Sequence, residues 1–114
     1  MELRLLVVRT GDPEKLAGFY TQLGLVFDYH KHGNSPYHYS TTIGSAVLEI
    51  YPLAKGQEKA DNHLRLGLGI DDFDKKITLL KENQVVFSME PAQTDFGYMA
   101  VIQDPDGRKI EIYK

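Results

Sequence analysis

The chain has 114 residues, a length typical of one globular domain and too short for two domains with separate cores. Hydrophobic residues make up 42% and charged residues 25%, which excludes a disordered, collagen-like or fibrous protein. Thirteen Lys and Arg against sixteen Asp and Glu give a net charge of −3 without a basic cluster. We therefore expect neither a nucleic acid nor a membrane surface as a partner.

Cysteine is absent, which excludes disulfides, thiolate nucleophiles and thiolate metal sites. No apolar run reaches membrane-spanning length, and Met1 leads directly into a strand-like pattern rather than a signal peptide. These features predict a cytoplasmic protein.

The first half of the sequence predicts a strand, a helix and three more strands. The apolar run 3–8 reads as a strand, after which Asp12 is a natural helix N-cap and Pro13 suits the first helical position. Four apolar residues then recur with helical spacing until Gly24 ends the helix: Leu16, Phe19, Tyr20 and Leu23. Turn residues separate the three strands predicted over 25–32, 37–43 and 46–53.

A polar segment without periodicity, 54–62, follows, and then the same order of elements is predicted again. A strand over 64–70 precedes a helix that Asp72 caps and Asn83 ends. Three strands complete this half, over 85–91, 97–103 and 108–114. Both halves are therefore βαβββ, and the fold class is α+β.

The two halves also repeat in residue identity. Asp12 and Asp72 are sixty residues apart, and the closing strands Leu48-Glu49-Ile50-Tyr51 and Ile110-Glu111-Ile112-Tyr113 share one pattern. Such repetition indicates two copies of one supersecondary unit. Strand alternation places Glu49 and Glu111 on the face opposite the aliphatic residues, so we expect both carboxylates to point into a shared cleft.

Several segments in this order resemble the vicinal oxygen chelate superfamily, which includes glyoxalase I, bleomycin resistance proteins and extradiol dioxygenases. They are Asp12-Pro13-Glu14-Lys15, Phe19-Tyr20, Leu23-Gly24-Leu25, Leu48-Glu49-Ile50, Asp104-Pro105-Asp106-Gly107 and Ile110-Glu111-Ile112. The resemblance implies one domain of two βαβββ modules, 1–53 and 63–114, joined by a linker. It also implies an incomplete eight-stranded barrel around a pocket, commonly within a homodimer.

In metal-binding members of that superfamily, the opening and closing strands of each module supply four ligands. The matching closing-strand residues are Glu49 and Glu111, whereas the opening-strand positions hold Leu5 and Arg65, which cannot ligate a metal. We therefore expect no cofactor, and a divalent metal only if a further ligand exists. Arg65 could instead neutralise both glutamates, or it could form an ordinary exposed ion pair.

Histidines offer two further metal hypotheses. His63 lies two residues before Arg65, and a register slip would bring it near the glutamates, although it also reads as a loop-end residue. His30, His32 and His38 have a spacing that permits metal binding. We interpret these three as solvated hairpin histidines.

Two arginines and three tyrosines are candidate ligand-binding residues. The arginines are Arg9, at the end of the first strand, and Arg65, and the tyrosines predicted beside the cleft are Tyr51, Tyr98 and Tyr113. Tyrosine rings stack on planar ligands while their hydroxyls bind polar groups, although cross-strand packing is the alternative role. The Asp104 segment reads as a structural turn.

Three functions remain open from the sequence. The first is a protein that binds a small planar or polar molecule in its cleft without an obligatory metal. The second is a metal-dependent lyase, isomerase or transferase of the glyoxalase type, with Glu49 or Glu111 as catalytic general base. The third is a domain that serves only assembly.

Overall fold

The computed structural model describes all 114 residues, and the chain divides into two compact units. The first consists of Met1–Thr21 and Leu25–Asp61, and the second of Gln22–Gly24 and Asn62–Lys114. Each unit contains one four-stranded sheet and one helix. Neither helix is long and apolar enough to cross a membrane.

The first unit has the predicted βαβββ order. Its elements are β1 (Leu5–Thr10), α1 (Pro13–Thr21), β2 (Asp28–His30), β3 (His38–Ile43) and β4 (Ala46–Pro52). The strands lie in the order β1-β4-β3-β2, with β1 parallel to β4 and the other neighbours antiparallel. The closing strand β4 is therefore central in the sheet and buried on its helix side.

Helix α1 begins where the sequence predicts. Asp12 Oδ1 accepts a hydrogen bond from the Lys15 backbone N–H at 3.1 Å, which satisfies one of the free amides of the first turn. One face of the helix is buried and packs against β4: Leu16, Ala17, Phe19 and Tyr20. This burial, rather than helix propensity, supplies most of the stability of so short a helix.

The second unit repeats the order. Its elements are β5 (Leu66–Gly69), α2 (Phe73–Glu82), β6 (Phe87–Thr94), β7 (Gly97–Gln103) and β8 (Lys109–Tyr113). The strand order β5-β8-β7-β6 is the order of the first sheet, again with only the opening and closing strands parallel. The predicted fold class is thus confirmed in both halves.

Several local predictions need correction, including the first strand, which is Leu5–Thr10 rather than 3–8, and α1, which ends at Thr21 before Gly24. Asp72 precedes α2 but has a φ of 51°, and its side chain makes no capping hydrogen bond. The predicted strand 25–32 is paired only over Asp28–His30. Strand β6 does not end at Pro91 but continues to Thr94. It is an edge strand, so the N–H that Pro91 lacks is not needed for pairing, and its register shifts between Met89 and Ala92.

Each sheet has one apolar face and one face that carries a glutamate. In the closing strands, Leu48, Ile50, Ile110 and Ile112 are buried. Glu49 pairs with Val7 of β1, and Glu111 pairs with Gly67 of β5, so the two glutamates hold equivalent places in their sheets. The face that carries the glutamate is called the open face below.

Candidate functional site

Three histidines and a glutamate come together on the open face of the first sheet. We call His30, His32, His38 and Glu49 the histidine cluster; their ring nitrogens and carboxylate oxygen all lie within 4.8 Å of one another. His38 Nε2 is 3.2 Å from Glu49 Oε2, and His32 Nε2 is 3.7 Å from the same oxygen. Imidazole nitrogens with one carboxylate are a donor set that first-row transition metals favour.

Strand pairing explains how these residues meet. His30 pairs with His38 across the β2–β3 hairpin, and Ser40 pairs with Glu49 across β3 and β4. Because alternate residues of a strand share a face, His38 and Glu49 lie on the same side. His32 is positioned by the turn, where its backbone N–H donates to Ser35 Oγ at 2.9 Å.

The interpretation of these histidines as solvated is wrong for His38, whose side chain is fully buried. Its ring stacks on Tyr51 with centroids 4.2 Å apart and an angle of 10° between planes. His30 Nε2 is also buried, and it has no hydrogen-bond partner. Only His32, with 65% of its side chain exposed, behaves as a hairpin histidine.

Arg9 and Tyr51, both predicted to bind a ligand, extend the histidine cluster on the same face. The guanidinium carbon of Arg9 lies 5.0 Å from the centre of the Tyr51 ring, a cation–π distance. Arg9 Nη1 also donates to the Pro52 carbonyl at 3.0 Å. Tyr51 therefore contacts both the Arg9 guanidinium and the His38 ring.

On the second sheet, Glu111 contacts Arg65 and Tyr113 instead of histidines. Arg65 Nε donates to Glu111 Oε2 at 2.5 Å, and the Tyr113 hydroxyl donates to Glu111 Oε1 at 2.5 Å. The Tyr113 hydroxyl and then Arg65 lower the pKa of Glu111, while the carboxylate raises the pKa of Tyr113. We call these three residues the glutamate–arginine cluster.

The four positions at which metal-binding relatives carry ligands do not fit a metal here. Leu5 has an apolar side chain, 52% exposed, and Arg65 is already paired with Glu111. His63 lies exposed in the segment before β5 and is not part of the histidine cluster. Because Glu49 and Glu111 belong to separate units, their convergence on one cleft stays a prediction.

Tyr98 lies away from the glutamate–arginine cluster. Met99 pairs with Tyr113 on the open face, so the neighbouring Tyr98 points to the opposite face of β7. There its ring meets the Phe73 ring with centroids 5.7 Å apart. The prediction that Tyr98 joins the other tyrosines at the cleft does not match this placement.

An aromatic recess of about 380 Å³ lies at the other face of the first sheet, beside the start of α1. It is lined by Asp12, Pro13, Glu14, Tyr29, Tyr37, Tyr39 and Pro52. The Tyr29 and Tyr37 rings are stacked with centroids 5.2 Å apart. Tyr39 pairs with Ile50 and therefore lies on the helix-side face of the sheet.

Comparison with known proteins identifies the family. The model of the Glyoxalase/Bleomycin resistance protein/Dioxygenase superfamily matches residues 3–112, and the protein belongs to this superfamily. A probable lactoylglutathione lyase of Vibrio cholerae serotype O1 is 27% identical, with 93% of this chain and 85% of the relative aligned.

Solved structures agree with this assignment. TnmS3, an antibiotic binding protein from Streptomyces sp. CB03234, has a TM-score of 0.78 at 25% identity, covering 99% of this chain and 94% of its own. A glyoxalase/bleomycin resistance protein from the same organism has a TM-score of 0.75 at 25% identity, covering 99% and 100%. The superfamily and its fold, predicted from the sequence motifs, are thus confirmed.

Proposed function

We propose that the protein binds a small planar or polar molecule and does not need a metal at the superfamily's four ligand positions. The observation that carries this proposal is the pairing of Arg65 with Glu111. The guanidinium supplies the positive charge that a metal supplies in other members. The glutamate–arginine cluster then offers a ligand charged groups of both signs and the edge of the Tyr113 ring.

Two further observations support a binding protein. Arg9 and Tyr51 present a cation and an aromatic ring on the open face of the first sheet, which suits stacking on a planar ligand. TnmS3, which has the same fold at 25% identity, is an antibiotic binding protein. Glu49 and Glu111 each act as an electrostatic determinant on their own sheet rather than as catalytic bases.

A thermal-shift screen tests the proposal with two panels of probes: planar aromatic antibiotics including bleomycin, and S-substituted glutathione conjugates. A compound at 100 times its Kd stabilises the native state by about 2.7 kcal/mol. We expect at least one compound to raise the Tm, and Arg65→Gln to weaken its binding. Lys81→Gln is the matched control, because Lys81 forms an exposed ion pair with Glu90 elsewhere in the second unit.

The aromatic recess provides a comparison within the same experiment. If a compound's binding is lost in Tyr37→Ala and unchanged in Arg65→Gln, the recess is the binding site and the proposed role of the glutamate–arginine cluster is wrong. Tyr37 is 52% exposed, so its replacement leaves the core intact.

A lyase is the second candidate, and the similarity to a probable lactoylglutathione lyase favours it. In this case Glu49 or Glu111 acts as general base. Turnover of lactoylglutathione by the purified protein, abolished by Glu111→Gln or Glu49→Gln, would replace the binding proposal. We expect no turnover.

We also propose that the protein forms a homodimer in the cytoplasm. Leu5 and Val7 support the dimer, because both are apolar and exposed on β1, an edge strand of the first sheet. Sedimentation equilibrium of the wild type and of Val7→Lys tests it. A monomeric wild type would contradict the proposal.

A further inference from the structure

We propose that the histidine cluster binds one divalent transition-metal ion, of which Zn²⁺ is the best match. This site lies wholly within the first unit and uses three histidines that are not at the superfamily's ligand positions; only Glu49 is. The inference does not depend on the proposed role of the glutamate–arginine cluster, which lies on the other sheet, although Glu49 and the neighbouring Tyr51 belong to both proposals.

The distances within the histidine cluster are close to those of a tetrahedral site. Zn²⁺ binds imidazole nitrogens and carboxylate oxygens at about 2.0–2.1 Å, which places two tetrahedral ligands about 3.3 Å apart. His38 Nε2 is 3.2 Å and His32 Nε2 is 3.7 Å from Glu49 Oε2. The four donor atoms all lie within 4.8 Å of one another, and His32, with 65% of its side chain exposed, is the ligand least restrained by packing.

His38 Nε2 is available as a metal ligand. The other ring nitrogen, Nδ1, lies 3.0 Å from the Pro36 carbonyl oxygen, which only accepts, so Nδ1 is the donor of that hydrogen bond. Nε2 faces Glu49 Oε2 at 3.2 Å, and a metal ion held between these two atoms would take both as ligands.

The surroundings of His38 match those of a metal ligand. Metal-bound histidines usually donate their other ring N–H to a carbonyl or a carboxylate, as His38 does to Pro36. Its ring is also fixed by the stacked Tyr51, so Nε2 is directed at one point.

His30 gives an independent argument. Its Nε2 is buried and has no hydrogen-bond partner, although buried polar atoms in native proteins are nearly always bonded. The His30 ring lies 4.6 Å from the His32 ring and 4.8 Å from the His38 ring, centroid to centroid. A metal ion shared by the three imidazoles supplies the partner that Nε2 lacks.

Co²⁺ titration of the tag-free, chelator-stripped protein tests the proposal, since tetrahedral Co²⁺ with nitrogen ligands has intense visible absorption. We expect one equivalent of Co²⁺ to bind and Zn²⁺ to displace it. His32→Ala, at the exposed ligand, should weaken Co²⁺ binding by more than about tenfold, because removing even an outer-shell partner costs 10- to 100-fold. Circular dichroism confirms that this variant folds.

The chain has four histidines, so His63→Ala is a matched control, and Glu111→Gln controls for the superfamily's ligand positions. Both variants should bind Co²⁺ as the wild type does. Three results would overturn the proposal: no tetrahedral spectrum in the wild type, equal affinity in His32→Ala, or loss of binding in His63→Ala or Glu111→Gln.

Discussion

Glu49 and Glu111 occupy equivalent places in the two sheets but contact different partners. Each pairs with the opening strand of its unit, Glu49 beside Val7 and Glu111 beside Gly67. Imidazoles of His32 and His38 lie near the first carboxylate, whereas the Arg65 guanidinium and the Tyr113 hydroxyl bind the second. The two repeats have thus acquired different chemistry at one structural position.

The pKa of Glu111 gives a prediction on acid stability. Because the Tyr113 hydroxyl and Arg65 lower this pKa in the folded state, the carboxylate stabilises the protein above the pKa that Glu111 has in the unfolded chain. This contribution is lost as the pH falls through the lowered pKa. Urea unfolding at a series of pH values should show the wild type more stable than Glu111→Gln at neutral pH, with the difference shrinking in acid.

Tyr113→Phe removes the hydroxyl that is the largest cause of the lowered pKa of Glu111. It should raise the pKa of Glu111 toward the ordinary value, as followed by carboxyl carbon resonances in a pH titration. Lys114→Gln is the control at the neighbouring position. An unchanged pKa in Tyr113→Phe would contradict the assigned hydrogen bond.

The buried ion pair of Asp104 and Arg108 predicts a large loss of stability. Arg108 is 1% exposed and donates from Nη1 to Asp104 Oδ2 at 3.1 Å, while its backbone N–H donates to Asp104 Oδ1 at 3.0 Å. Arg108→Met leaves the Asp104 carboxylate buried without its cation, which should cost about 3–5 kcal/mol of unfolding free energy. Urea denaturation measures it.

The exposed ion pair of Lys81 and Glu90 is the comparison for this variant. Lys81→Met should change the unfolding free energy by no more than about 1 kcal/mol, because exposed ion pairs contribute little. Equal losses in the two variants would show that the Asp104–Arg108 pair is not a structural requirement.

Replacing Gln84 by glycine should stabilise the protein. It follows α2 with a φ of 59°, while Gly24, sixty residues earlier in the repeat, has a φ of 104°. A left-handed conformation costs a residue with a Cβ about 1–2 kcal/mol, and glycine avoids this at a smaller entropic cost. Gln84→Gly should therefore raise the unfolding free energy by about 0.5–1 kcal/mol.

Gln93→Gly is the control for that substitution. Gln93 lies within β6 and has no positive φ, so glycine there should lower the unfolding free energy by roughly 0.5–1 kcal/mol. Destabilisation in both variants would contradict the strain assigned to Gln84.

Local signals predicted the fold well. Asp12 and Pro13 specify the start of α1 through contacts within one turn, and the repeated closing strands place Ile50 and Ile112 in the two cores. The ends of the strands were predicted less accurately, because pairing with other strands decides where a strand ends. Strand β6 passes through Pro91 because an edge strand does not need that residue's missing N–H.

The candidate site was predicted only in part. The sequence left open whether Arg65 neutralises both glutamates or forms an ordinary exposed ion pair, and the structure shows it paired with Glu111 with 48% of its side chain exposed. The burial of His38 does not follow from the sequence near it, because it depends on Tyr51, thirteen residues away on another strand. The sequence did contain a signal for the cluster, because His30 and His32 alternate along one strand and a short hairpin leads from them to His38.

The zinc content of the purified protein is the most direct test of whether Glu49 binds a metal ion and Glu111 does not. Tag-free wild type, Glu49→Gln and Glu111→Gln are purified without chelator in the presence of Zn²⁺, dialysed and measured by elemental analysis. We predict one zinc per chain in the wild type and in Glu111→Gln, and a loss of zinc in Glu49→Gln. Zinc lost in Glu111→Gln and retained in Glu49→Gln, or no zinc in any of the three, would contradict the account.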